Sequence, residues 1–202
     1  LEEVLDSRLV CDPIRLLELC PPNEGAAAAV IVSEDAIDEY GLQDPVRIGS
    51  CVHTTSRFPL HQVASYCTTP TDNESVHRQT ADLAYERAGI TVDDVDVAEV
   101  QDTDAFCEIE AYEELRFCDR GEGGALVESG ATERDGDLPV NVSGGLISKG
   151  EPIGASHLGQ VYELVLQIRG DAGPRQIDGV ETGLAHVYGA HGQCGVTVLQ
   201  EP

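Results

Sequence analysis

The chain has no Met and no Trp, and aromatic residues make up only 4% of its 202 positions. Any core must therefore be built from Val, Ile, Leu and Ala. Lys is almost absent: Lys149 is the single one among 12 basic residues, which face 37 acidic ones for a net charge of -25. That balance excludes a basic nucleic-acid surface and docking on anionic membranes. No apolar run reaches membrane-spanning length, and no signal peptide opens the chain. None of the seven Cys forms a CxxC pair, which argues against a zinc site, and their odd number without a secretion signal points to reduced thiols in a cytoplasm.

What is present indicates a folded protein. Apolar residues make up 41% of the chain, enough for a core. The acids are spread along the sequence rather than gathered in a tail. With few Lys, this is the pattern expected of a halophilic protein, whose self-repulsion is screened by molar salt. The chain opens abruptly with Leu1-Glu2-Glu3-Val4-Leu5 and reads as part of a longer protein.

Periodicity and punctuation predict alternating strands and helices. Residues 25–33 (GAAAAVIVS) read as a strand buried on both faces. Ser33 opens a helix that ends near Gly41, and Val46 to His53 reads as a strand. Glu74 to Ala88 is expected to be a helix capped by Gly89. VDVAEV over 95–100 reads as a strand and 105–117 as a helix. Residues 121–137 read as a solvated loop and 138–142 as a strand. After Gly154 comes a helix whose apolar face is Leu158, Val161, Tyr162, Val165 and Ile168, ended by Gly170. Residues 183–188 and 195–199 form a terminal hairpin. The alternation implies an α/β fold with a mostly parallel mixed sheet flanked by helices.

The segment PVNVSGGLISKGEPIGAS (139–156) resembles the thiolase pattern NxSGGxxxxGHPxGATG. Residues 95–117 are similar to the stretch that reads EVHDCF or EVHDAF in sterol-carrier-protein-type and archaeal thiolases. Residues 183–199 resemble the family's last hairpin. Residues 1–33 resemble its SRxVxDPLxLLDCCPxxDGAAA stretch.

The resemblance implies the C-terminal half of a layered αβαβα thiolase fold. Residues 1–43 would be the end of the loop region with the last strand and helix of the N-terminal domain, and 44–202 the C-terminal domain. It implies acyltransferase chemistry of the acetyl-CoA acetyltransferase or 3-ketoacyl-CoA thiolase type on a coenzyme A thioester, with no metal or organic cofactor. The nucleophilic Cys belongs to the other half, and none of the seven Cys here matches it. Implied partners are acyl-CoA, further copies in a dimer or tetramer, and a small OB-fold acyl-CoA-binding protein.

At the family's site positions this chain departs from pattern. Glu151 stands where the GHP histidine activates the nucleophile: either it accepts a proton, or it fills a vestigial or repurposed site. Gln101 and Thr103 stand where His and Cys form the oxyanion hole and the acid/base, with Asp102 retained. Tyr188 either serves as a tyrosine of the thiolase-like aldolases or packs in the hairpin, and His191 lies in the same Gly-rich region. Asn141, Ser143, Gly144 and Gly145, together with the retained Asp102, are the expected substrate-binding residues that shape the loop beside the bound acyl group. These departures keep open two further functions: a retro-aldolase on CoA thioesters, and a non-catalytic acyl-CoA- or lipid-binding homologue.

Overall fold

In the computed structural model, residues 1–55, 75–189 and 192–202 are described. Two short strands, β1 (Leu9–Cys11) and β2 (Ile14–Arg15), follow the single turn of α1 (Glu2–Leu5). Helix α2 (Glu34–Tyr40) starts at Ser33, whose hydroxyl accepts from Ala36 N at 3.4 Å, and ends at Gly41 in the left-handed region. None of residues 1–49 is buried.

The body of the fold is a four-stranded sheet in the order β3-β6-β5-β4. Its strands are β3 (Arg47–Thr55), β4 (Val97–Glu99), β5 (Thr182–Gly189) and β6 (Gln193–Gln200). It is mixed: β4 and β5 are parallel, while β5 with β6 and β6 with β3 are antiparallel. The antiparallel share exceeds what the alternation of elements implies, because the closing hairpin pairs on both its sides.

Helices cover both faces, as alternating apolar strand residues require. On one face α3 (Val76–Ala88) packs across β3 and β6, with α4 (Ala105–Glu114) beside it. The core there joins Val52, Ala81, Ala84, Val100, Tyr112 and Leu184. On the other face α7 (Ser156–Arg169) buries Leu164 against Val97, Ala185 and Leu199. The caps match local chemistry. Ser75 accepts from Arg78 N at 3.1 Å and Asp104 from Cys107 N at 2.9 Å, while Gly89 and Gly170 end their helices in the left-handed region.

Four expectations change. Residues 25–33 form no strand and pair with no described strand, with Val30 90% and Ile31 76% exposed. A strand is defined by its neighbour, and no described element runs beside this one. Residues 138–142 make only an isolated bridge, between Val140 and Ala98. Residues 123–128 of the expected loop form a helix, α5. Lastly, α7 turns differently: Tyr162 is 61% exposed and Leu158 is exposed, whereas Gln160, Glu163 and Gln167 are buried beside Leu164. Hydrogen bonds explain the turn. Gln160 donates to the His186 carbonyl at 3.0 Å, Arg175 pairs with Glu163 at 2.9 Å, and Gln167 donates to the Arg175 carbonyl at 2.9 Å.

Candidate active site

The β4 strand ends at Glu99, and the chain then delivers Gln101, Asp102 and Thr103 to one end of the sheet. Beside them α6 (Gly145–Lys149) leads into the turn carrying Glu151. The residue 19–23 segment is laid between these two loops. Cys20 N donates to the Thr103 carbonyl at 2.9 Å, Glu151 N to the Pro21 carbonyl at 3.0 Å, and Asn23 Nδ2 to the Lys149 carbonyl at 2.7 Å.

Four residues singled out from the sequence meet here. Gln101 Nε2 donates to Glu151 Oε1 at 2.8 Å, and Gln101 Oε1 accepts from Tyr188 N at 3.0 Å. The Tyr188 hydroxyl lies 2.7 Å from Thr103 Oγ1 and 3.4 Å from Cys107 Sγ. Gln101, Glu151 and Tyr188 line a cleft of about 290 Å³, together with His53, His157 and Cys194. His191, the fifth residue, lies outside the described residues.

The five residues expected at the substrate loop do not line the cleft; their side chains and backbone build the loop behind it. Asp102 accepts Leu146 N at 2.6 Å and Ile147 N at 3.2 Å, so its carboxylate holds the first turn of α6. A Cβ on Gly145, at φ +62°, would collide with that carboxylate. Gly144, at φ +96°, is similarly restricted by Ser148. Asn141 Oδ1 accepts from Val100 N at 2.9 Å and its Nδ2 donates to Glu108 at 3.0 Å, which ties the loop to β4 and α4. Ser143 is bound through both its N–H and hydroxyl to the fully buried Glu99, near which sits the ammonium of Lys149 at 3.8 Å.

Electrostatics separate the groups. Cys20 donates to Glu151 Oε2 at 3.4 Å, and its thiol is pushed up to about 12, by burial first and then by the neighbouring Glu151 charge. Burial likewise pushes the Cys107 thiol up to about 12 and holds the Tyr188 hydroxyl above its usual range. These groups are protonated at neutral pH and can donate hydrogen bonds, but neither thiol is a ready thiolate. Burial raises Asp102 to about 7, against the lowering pull of its two backbone donors.

Cys20, Cys107 and His157 were not singled out from the sequence as site residues. Cys20 is 131 residues from Glu151, so no local spacing announces it. Cys107 stands in the first turn after the Asp104 cap, which is the one signal that could have marked it.

A family model described as "Thiolase C-terminal domain-like" matches residues 60–201. The chain belongs to this thiolase C-terminal domain-like family. Among similar proteins, an acetyl-CoA acetyltransferase of Methanothermobacter thermautotrophicus is 38% identical over 95% of this chain and 48% of its own length. Sterol carrier protein 2 of Oryctolagus cuniculus is 37% identical over 99% of this chain and 36% of its own. The benzoylsuccinyl-CoA thiolase subunit BbsB of Thauera aromatica is 33% identical over 94% and 48%. The chain thus spans between a third and a half of the length of these relatives. The solved structure titled Ltp2-ChsH2(DUF35) aldolase superposes with a TM-score of 0.77 at 21% identity, over 99% of this chain and 50% of that one. It supports the thiolase-like fold. No helix among the described residues is long and apolar enough to cross a membrane.

Proposed function

We propose that this thiolase-like chain supplies the acid–base and hydrogen-bonding part of a site for acyl transfer on coenzyme A thioesters, of the acetyl-CoA acetyltransferase or 3-ketoacyl-CoA thiolase type. The contact between the Glu151 carboxylate and the Gln101 amide on the wall of the cleft carries this reading. Joining or cleaving two acyl units requires a proton to move at the carbon next to the thioester carbonyl, and a positioned carboxylate can take it. The developing enolate oxygen needs donors close by; the Gln101 amide and the protonated Tyr188 hydroxyl are suitable ones.

Neither thiol described beside this contact is a ready thiolate nucleophile. Cys20 and Cys107 are both held protonated, so the acyl group is carried by a residue outside this site, and the chain alone is inactive. The exposed Val30 and Ile31 provide an apolar surface for the remainder of the protein or for further copies in a dimer or tetramer. A small OB-fold acyl-CoA-binding protein is a candidate partner. The acidic surface fits a halophilic, archaeal cytoplasm.

A second reading is a retro-aldolase on CoA thioesters. It is favoured by the Tyr188 hydroxyl seated between Thr103 and Cys107, where a proton can be passed to or from a substrate oxygen without any thiolate. A non-catalytic acyl-CoA-binding role is the third.

The test is to assay the full protein containing this chain with acetoacetyl-CoA plus coenzyme A, and separately with a branched 3-hydroxyacyl-CoA, in molar salt. General acid–base catalysis contributes roughly 10²–10⁴-fold, so Glu151→Gln should lower thiolysis by at least about 10²-fold with little change in KM. Thiolysis undiminished in Glu151→Gln would refute the acyl-transfer reading. Aldol cleavage abolished by Tyr188→Phe would establish the second reading, and thioester binding with neither turnover the third.

A further inference from the structure

Behind the cleft, three potential metal donors converge that the proposed chemistry does not use. His77 sits in the first turn of α3, His186 within β5 and Cys194 near the start of β6. The hairpin register pairs Tyr188 with Cys194 and His186 with Val196. His186 and Cys194 are therefore diagonal neighbours on one sheet face, the face that α3 covers. All three residues are buried, with His186 and Cys194 fully so.

One donor atom from each lies within 4.8 Å of the others, and His77 Nδ1 is 3.0 Å from His186 Nε2. Tetrahedral zinc, with bonds of about 2.0–2.1 Å to nitrogen and about 2.3 Å to sulfur, sets its ligand atoms roughly 3.3–3.6 Å apart. The nitrogen pair already stands near that spacing, and the full set needs to close by about 1 Å.

The convergence leaves the other nitrogen of the His186 ring aside. His186 Nδ1 is buried and has no hydrogen-bond partner among the described residues. A ring nitrogen stripped of water and given no partner carries its full desolvation cost.

We propose that His77, His186 and Cys194 form a binding site for a zinc-class divalent cation. Two imidazoles and a thiolate are a donor set of the borderline-soft kind that suits zinc rather than magnesium or calcium. On binding, the Cys194 thiol releases its proton to solvent as the sulfur–metal bond forms. Three protein ligands leave a fourth position, and Cys194 lines the cleft, which gives the ion an entry path and water a place to complete the tetrahedron. The site ties α3 to the β5–β6 hairpin. One ligand comes from α3 and two from the β5–β6 hairpin 109 residues further on, so the lack of a CxxC pair does not bear on it.

The test uses the full protein without a His tag, stripped with a chelator and titrated with cobalt(II) and zinc(II) in molar salt. Wild type should take up one cobalt per chain with a thiolate-to-cobalt charge-transfer band in the near ultraviolet, and zinc should raise its Tm. Cys194→Val, which keeps an apolar residue on the strand, should fold by circular dichroism, lose the band and bind zinc at least ten-fold more weakly. His77→Asn should keep a thiolate band but bind at least ten-fold more weakly. Failure of folded wild type to bind either metal would overturn the proposal, as would a band and zinc affinity unchanged in Cys194→Val.

Discussion

Replacing Gly145 by Ala tests how the loop beside the cleft is held. Gly145 has φ +62°, a conformation that costs an L-residue about 1–2 kcal/mol. Its new methyl group would also strike the Asp102 carboxylate, which accepts Leu146 N at 2.6 Å and Ile147 N at 3.2 Å. Moving that buried carboxylate weakens hydrogen bonds worth roughly 1.5–3 kcal/mol each. The expected destabilisation of Gly145→Ala is therefore about 3–4 kcal/mol. Gly144→Ala is the control. At φ +96° it is also strained, but its methyl would meet Ser148 Oγ, the end of an exposed side chain that can rotate away, so about 1–2 kcal/mol is expected. In an Asp102→Ala background the collision is gone, and Gly145→Ala should cost only the backbone strain, again about 1–2 kcal/mol. Urea unfolding of the four proteins and the double variant in molar salt gives the cycle. If the two changes add to within about 0.5 kcal/mol, Asp102 and Gly145 are not coupled and the reasoning is wrong.

Glu110 has a buried carboxylate oxygen without a hydrogen-bond partner among the described residues, and burial followed by the charges of Glu114, Glu113 and Asp104 raises it to about 7. Its folded pKa exceeds the usual carboxylate value, so the folded state holds the proton that the unfolded chain loses, and stability falls as pH rises from about 4.5 to about 7. Glu110→Gln should accordingly stabilise the protein at pH 8 relative to pH 5, by on the order of 1 kcal/mol after screening at this partly exposed site; an urea midpoint difference that does not grow with pH would refute it. With a net charge of -25, the chain should unfold as salt is lowered from the molar to the millimolar range; an unchanged far-UV signal would remove the halophile reading.

Local rules were readable wherever a residue's role depends on its near neighbours in the chain. Ser33 and Gly41 bound their helix, and Gly89 and Gly170 close theirs, because caps satisfy backbone groups only a few residues away. Residues 25–33 misled because their apolar character announces burial without saying against what. The orientation of α7 misled because Gln160, Glu163 and Gln167 look like surface residues until the His186 carbonyl, Arg175 and the backbone near Ile177 are seen to pair with them. At the site, Gln101, Thr103, Glu151 and Tyr188 were legible through resemblance at their motif positions. Cys20 and His157 were not, since each enters the site region through a partner distant in sequence.

By itself the sequence determined the four longer helices, the strands of the sheet, the helix caps, the α/β class and the acidic charge, all of which follow from side-chain chemistry over a few turns of chain. Tertiary structure alone decided that Gln101 hands its amide to Glu151, that Asp102 serves the loop rather than the cleft, and that His77, His186 and Cys194 meet under one sheet face. Such contacts depend on strand order and register, which join residues 44, 50 and 109 positions apart and leave no periodic trace along the chain.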